Sequence, residues 1–359
     1  MSLIVQKPGL YTTVQDRGRN GYRSAGLTGG GAMDEYALRV ANLLVGNEEG
    51  EAGLELTLAG PVLRAEADLL IAITGADMTP RIDGRELAMW RPLYVPAGAT
   101  IRFGVARLGC RAYVAVAGGF GTAAALGSRS TDARARLGGI DGRPLRAGDA
   151  VPCGMAAGAA APSRWAAAWL AALAARSSSA AVAEGEGRPP AWAAWYAPPQ
   201  AYGGASEAGI ELRVMPGSEH GQFSEAARGA FYSGRYRVQA ASDRMGVRLE
   251  GSPPLQRIAK DELLSHGIVP GVIQVPDGGQ PIILAADCQT TGGYPKLAHV
   301  AAVDMPLLAQ AKPGDWITFQ PIELDEAQRL YLATEQAIRA LEWAVRCRLP
   351  DDSIGYRQE

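Results

Sequence analysis

The sequence predicts a mainly β fold: two similar strand-rich domains, a few helices and a long C-terminal helix. Three observations carry that expectation. With 45 glycines and 23 prolines in 359 residues, the chain is punctuated too often for a helical bundle. From Leu54 it runs as short apolar segments separated by turns, with little room for helix between them. Two turn-and-strand marks also recur in the same order. Leu58-Ala59-Gly60 is echoed at Leu249-Glu250-Gly251, and Gly98 to Phe103 is echoed at Gly314 to Phe319.

Taken in order, Leu3 to Val5 reads as a first strand closed by Pro8-Gly9. Gln15, Asp16 and Arg17 then lie on a Gly-rich loop, and Gly29-Gly30-Gly31 leads into a helix that ends at Gly46. A Gly-rich run before a helix can hold an anion on free N–H groups, but this one lacks the spacing of a phosphate-binding loop and follows no Rossmann strand. ELTLAG, DLLIAITG, RIDGRELA, RPLYVPAGATIRFG and CRAYVAVAGGF read as successive strands of a barrel or sandwich. Residues 156–205 are rich in Ala, Pro and Ser and read as a linker. Trp165/Trp169 and Trp192/Trp195 stand at helical spacing within it, so these stretches can form helices that dock by their aromatic face, and RSSSAAVAEGEGRPP forms its flexible centre. ELRVMPG opens the second domain. Arg244, Met245, Gly246 and Arg248 form a compact basic turn, in which an arginine pairs with a carboxylate or phosphate ligand or with a neighbour such as Asp243. Residues 295–311 continue as a strand and a short helix, and an amphipathic helix follows from Leu324, with Leu330, Ala337, Leu341 and Val345 on one stripe. The expected boundaries are 1–155, 156–205, 206–322 and 323–359.

Composition excludes several function classes. A net charge of −2 and 47% hydrophobic residues show no basic stripe for nucleic acid and ample material for two cores. Cys110, Cys153, Cys288 and Cys347 are far apart, so neither a disulfide framework nor a zinc knuckle is expected, and reduced cytoplasmic thiols are the default. The start of the chain has no signal-peptide pattern, and no uncharged apolar run is long enough to span a membrane. His220, His266 and His299 are scattered and read as structural or surface groups rather than metal ligands; no metal is expected.

The densest chemistry lies in Ile273 to Lys296. Ile273 to Val275 and Ile282 to Ala285 read as strands joined by an Asp277-Gly278-Gly279 turn. The second strand opens into Asp287, Gln289, Thr290, Thr291, Gly292, Gly293, Tyr294 and Lys296. An acid, an amide, two hydroxyls, a phenol and an ammonium beside paired glycines form the inventory of a small polar-ligand site. The same residues also suit an ordinary polar loop after a buried strand.

TVQDRGR near the start, DRMGVRLEG in the second half, and IQVPDGGQP with DCQTTGGYPK resemble the biotin-dependent carboxyltransferase-like family. That family includes allophanate hydrolase subunit 2, the KipA regulator and the C subunit of 5-oxoprolinase. The resemblance runs through nearly the whole chain, the Ala-rich stretch excepted. It implies two tandem cyclophilin-like β-barrel domains. It also implies two partner proteins, a KipI-type B subunit and a LamB/YcsF-type A subunit. Together with this chain they would open 5-oxoproline to glutamate using ATP. Two alternatives stay open: a non-catalytic KipA-type regulator that captures a KipI-type inhibitor, and a carboxyltransferase component moving a carboxyl group from carboxybiotin to urea or a related amide. None of Lys7, Lys260, Lys296 and Lys312 has the methionine flanks of a biotin-bearing lysine, so no biotin is expected on this chain, and ATP is expected to act through the complex. No H-E-x-x-H, G-x-S-x-G or Walker A pattern is present.

A lactam bearing a carboxylate needs a cation for the carboxylate and hydrogen bonds for the amide. Arg17, Arg244, Arg248 and Lys296 are the candidate cations. Gln15, Gln274, Thr290 and Thr291 are candidate amide readers, with Gly292, Gly293 and Tyr294 completing the binding set. Asp287 or Asp16 could serve as general base or could only orient an arginine or hydroxyl, so Asp287, Lys296 and Asp16 form the candidate catalytic set.

Overall fold

The computed structural model describes residues 1–154, 161–180, 187–198, 209–259 and 262–348. The chain forms two compact units: residues 1–18, 35–200 and 337–359 in the first, residues 19–34 and 201–336 in the second. This grouping departs from chain order in two places. The Gly-rich segment 19–34 belongs to the second unit, and the end of the C-terminal helix belongs to the first.

In the first unit, β1 (Ser2–Lys7), β2 (Tyr11–Gln15), β3 (Gly53–Thr57), β4 (Val62–Ala65), β5 (Leu69–Asp77), β6 (Arg81–Ile82), β7 (Arg85–Glu86), β8 (Leu93–Val95), β9 (Thr100–Arg102), β10 (Leu108–Val116), β11 (Ala150–Pro152) and β12 (Ala191–Trp192) fall into two six-stranded sheets, ordered β11-β1-β4-β9-β6-β7 and β12-β8-β5-β10-β3-β2. One apolar core joins them: Leu3, Val5, Leu54, Leu63, Ile71, Ile101, Val114 and Val151 are all essentially inaccessible. The strands alternate as half-buried strands must, as in β1, where Leu3 and Val5 are buried while Ser2 and Ile4 are only half-buried and Gln6 is exposed. Helix α1 (Glu35–Leu44) is buried from Ala37 to Leu44 and ends at Gly46, whose φ of +73° closes it.

The Ala-rich stretch is more ordered than a linker. Residues 164–179 form helix α2 (Arg164–Ser179), capped by the Ser163 hydroxyl, which accepts from the Ala166 N–H. The RSSS of the expected flexible centre is its last turn. Alanine has the highest helix propensity, and Trp169 and Leu173 give this run a face to bury. Trp165 and Trp169 share that helix. Trp192 lies in β12 instead, and Trp195 packs edge-on against Trp169, ring centres 5.7 Å apart. Residues 181–186 of that centre, and residues 156–160 and 199–205 of the expected linker, lie outside the described residues.

In the second unit, β13 (Ile210–Pro216), β14 (Tyr236–Val238), β15 (Gly246–Glu250), β17 (Val272–Gln274), β18 (Ile282–Leu284), β20 (Lys296–Val300) and β21 (Trp316–Pro321) close into a barrel. The parallel pairing of β13 with β21, Ile210 opposite Ile317, seals it. A separate ribbon pairs β16 (His266–Gly267) with β19 (Thr291–Gly292). Phe231 of helix α3 (Glu225–Ser233) stacks on Phe319 of β21, ring centres 4.4 Å apart, at the heart of the barrel core. A short helix α4 (Met305–Ala309) and the long α5 (Leu324–Cys347) complete the elements. The mainly β expectation holds. Closure into a barrel is seen in the second unit, whereas the first divides its strands between two sheets.

The β17–β18 hairpin forms where the sequence placed it, with Ile273 opposite Ile283 and Gln274 opposite Ile282. Gly279 turns it at φ +73°, and a Cβ there would lie 2.7 Å from Pro254 Cβ, so the turn needs glycine for shape and for space. The internal echo is visible as local geometry. Gly98 and Gly314 both take positive φ, +83° and +95°, immediately before β9 and β21.

Candidate functional site

Gln15, Asp16 and Arg17 belong to the first unit and the other ten candidates to the second. In the first unit all three are held by their own surroundings. The Asp16 carboxylate accepts from the Gly18 and Arg129 N–H groups and from the Ser128 and Ser130 hydroxyls, at 2.8, 2.5, 2.6 and 2.5 Å. That geometry fastens the 128–130 segment to the end of β2; it does not present a free base. Gln15 is fully buried and donates to Thr13 Oγ1 and Thr131 O. Arg17 forms exposed ion pairs with Glu35 and Glu49. The geometry therefore gives these three residues structural work.

In the second unit the candidates form two groups. The first is an ion pair. Arg244 Nε and Nη2 donate to Asp287 Oδ2 and Oδ1 at 2.8 and 2.9 Å, and Nη2 also donates to Gly31 O at 2.6 Å. Asp243, the sequence-adjacent alternative, instead accepts from the Met245 and Gly246 N–H groups and shapes the turn. With both Asp287 oxygens engaged by one guanidinium, orientation describes this carboxylate better than proton transfer does. Arg248 is exposed on β15. Thr290 is half-buried and its carbonyl accepts from the Ile268 N–H, Thr291 is exposed on the ribbon, and Tyr294 is 52% exposed.

The second group surrounds Lys296. Alternation along β17 puts Ile273 and Val275 in the barrel core and sends Gln274 to the opposite face with Val272. Lys296 stands opposite Gln274 on β20 and shares that outer face. Lys296 Nζ lies 3.3 Å from Glu219 Oε2 and 3.4 Å from His266 Nδ1, and Glu219 Oε1 is 3.8 Å from His266 Nε2. The Lys296 N–H also donates to Glu219 Oε2 at 2.9 Å. Lys296 and Glu219 are buried, and His266 is the accessible member at 47% side-chain exposure. Beside them, Gln274 is buried and its Nε2 has no hydrogen-bond partner among the described residues. Gly292 lies against that amide: a Cβ on it would sit 2.8 Å from Gln274 Nε2. A cavity of about 300 Å³, at the small end of ligand pockets, is lined by Arg257, Glu262, Leu263, Asp277 and residues 293–295, the link between Gly292 and Lys296.

Glu219 was missed in the sequence, and His266 was read there as structural or surface. Glu219 lies 77 positions from Lys296, beyond any spacing rule. Its one signal is Gly217, where a Cβ would meet Lys296 O at 2.3 Å. Only glycine lets the turn after β13 pass that close and deliver the carboxylate.

Burial raises the pKa of Glu219, but the Lys296 N–H, the Ser218 hydroxyl and the Lys296 ammonium together hold it below the ordinary glutamate value of 4.5. A depressed folded-state pKa gives stability that is complete above the unfolded value and is lost as pH falls through the folded one. Glu219→Gln is therefore expected to flatten the acid side of the stability profile below about pH 4.5. Urea midpoints across that range check this, and a slope equal to that of the unmodified chain would refute it.

Comparison with known proteins places this geometry among relatives. A family model described as carboxyltransferase domain, subdomain A and B, matches residues 25–321. The chain is 37% identical over 344 residues to the protein of Escherichia coli (strain K12) named as the C subunit of 5-oxoprolinase, covering 95% of this chain and 98% of that one. It is 36% identical over 326 residues to the protein of the same name from Haemophilus influenzae, covering 89% and 90%. Among solved structures, the K. lactis urea amidolyase superimposes with a TM-score of 0.80 at 28% identity. That match spans all of this chain but 21% of the larger protein.

Proposed function

The chain belongs to the carboxyltransferase-domain family of subdomains A and B, and from that membership we propose that it is the C subunit of an ATP-dependent 5-oxoprolinase. The observation that carries this reading is the end-to-end match, 95% of this chain on 98% of a protein named for that component. Urea amidolyase, by contrast, contains the matching region as 21% of its length. In the proposed reaction water adds across the lactam C–N bond of 5-oxoproline to give glutamate, with ATP hydrolysis driving the opening. Phosphorylation of the lactam oxygen makes the ring carbon electrophilic. Water attacks that carbon and the C–N bond breaks to leave the γ-carboxyl as an acyl phosphate, which a second water hydrolyses to glutamate and inorganic phosphate; ADP is released.

ATP is assigned to the complex and to no residue of this chain, and biotin is not carried here. The partners are a KipI-type B subunit and a LamB/YcsF-type A subunit, and the setting is the cytoplasm. Within this chain the Lys296 group contacts substrate, and Arg244 with Asp287 holds segment 287–296 in place. The test is ATP-dependent glutamate release by the purified three-component complex, comparing the unmodified chain with Lys296→Met and checking assembly by size-exclusion chromatography. Loss of turnover in an intact complex supports the reading. Full turnover with Lys296→Met would remove the site from the reaction, and turnover without this chain would leave it a KipA-type regulator.

The TM-score of 0.80 to urea amidolyase favours one second reading, carboxyl transfer from carboxybiotin to urea or a related amide. Urea-dependent decay of added carboxybiotin, with 5-oxoproline left untouched, would establish it in place of the first.

A further inference from the structure

Gln274 presents the most conspicuous unmet bonding capacity in the second unit. The residue is 4% exposed, and its Nε2 donates to nothing among the described residues. A buried amide N–H₂ without an acceptor is destabilising, so its place in the packing calls for an explanation outside the packing. The neighbouring donors supply one. An ammonium has three N–H bonds. Lys296 directs one to Glu219 Oε2, and its second neighbour, His266 Nδ1 at 3.4 Å, itself lies 3.2 Å from Leu264 O, so at least one N–H remains. Gln274 Nε2 adds two more.

Charge narrows what these donors can serve. Lys296 is already neutralised by Glu219 at 3.3 Å. The Lys296–Glu219 pair is thus rich in N–H donors and close to zero in net charge. An anion would gain little there against the loss of its hydration, whereas an uncharged sp² oxygen accepts two such donors through its two lone pairs. We infer that Gln274 Nε2 and Lys296 Nζ together receive the uncharged carbonyl oxygen of a small amide, lactam or ureide. Glu219 is the positioning residue that neutralises and aims the ammonium. Gly292 is bare because any side chain there would occupy the amide's place.

This assignment rests on the proposed function for its ligand class, and the probes separate the two. The assay follows the Gln274 side-chain N–H₂ resonance of the full-length chain, identified by its loss in Gln274→Leu. The added probes are 2-pyrrolidinone, which is a lactam without a carboxylate, and acetate. The expected result is a saturable shift with 2-pyrrolidinone and none with acetate. Gly292→Ala, which pushes the amide aside, should abolish the shift while leaving the urea midpoint nearly unchanged. In the assembled complex, Gln274→Leu should raise the KM for 5-oxoproline at least tenfold.

An unmoved resonance at the solubility limit of 2-pyrrolidinone, or an equal response to acetate, overturns the inference. If the lactam binds through Gln274 but the complex does not open 5-oxoproline, the carbonyl site stands and the 5-oxoprolinase reading falls. If the complex turns over and Gln274→Leu leaves KM and kcat unchanged, the reverse holds.

Discussion

Arg244→Ala is expected to destabilise the second unit by about 3–5 kcal/mol, the usual consequence of leaving one partner of a buried ion pair alone. The guanidinium is 8% exposed and its carboxylate partner 16%. It makes two bonds to Asp287 and one to Gly31 O. Removing it strands a carboxylate and a backbone carbonyl together. The converse is equally specific: replacing both partners with apolar groups of similar volume is often neutral, so Arg244→Met with Asp287→Leu should recover most of the loss. Urea unfolding gives the global figure, and hydrogen exchange in β15 gives the local one. A wild-type midpoint for the single alanine variant would show that the pair contributes nothing, and it would free Asp287 to be considered a base.

What could be read in the sequence divides along chain distance. The β17–β18 hairpin was legible because its strands and turn lie within a dozen residues, and apolar alternation with Asp-Gly-Gly states the register directly. Helices α1 and α5 were legible by period and by the glycine that closes α1. The Ala-rich segment was legible in part: Trp165 and Trp169 at i and i+4 pointed to a helix docking by its aromatic face, as α2 does, whereas its RSSS end read as linker. Trp169 and Leu173 supply a buried face that few other residues advertise. Barrel closure by the parallel β13–β21 pair joins strands about a hundred residues apart, a pairing no local pattern encodes.

The candidate site shows the same limit. Gln274 and Lys296 stood out by chemistry, and family resemblance ran through both. Their partner Glu219 comes from a turn whose significance lies in the absence of a side chain at Gly217. Asp16 is the opposite case. It stood out by motif, but its partners lie 112 to 114 positions away. Only the folded arrangement shows that its oxygens are already engaged.

Asp16→Asn turns that arrangement into a measurement. The carboxylate accepts four hydrogen bonds, three on Oδ1 and one on Oδ2 from the Arg129 N–H. Asparagine keeps one acceptor oxygen and places an N–H₂ where the other was, facing a donor. Either amide orientation sets donor against donor in a site only 8% exposed, so a loss of roughly 2–4 kcal/mol is expected in the first unit. Asp16→Ala removes every acceptor and should exceed that loss, while Ser128→Ala or Ser130→Ala removes one donor and should be destabilising by about 1 kcal/mol each. In all four variants, turnover per folded molecule in the assembled complex should stay near that of the unmodified chain, because a staple acts through the folded population. General-base catalysis predicts another pattern: Asp16→Asn would fold with an unchanged urea midpoint while turnover falls by about a hundredfold or more. The two roles thus separate on one pair of axes, midpoint against turnover, and the four accepted hydrogen bonds place Asp16 on the stability axis.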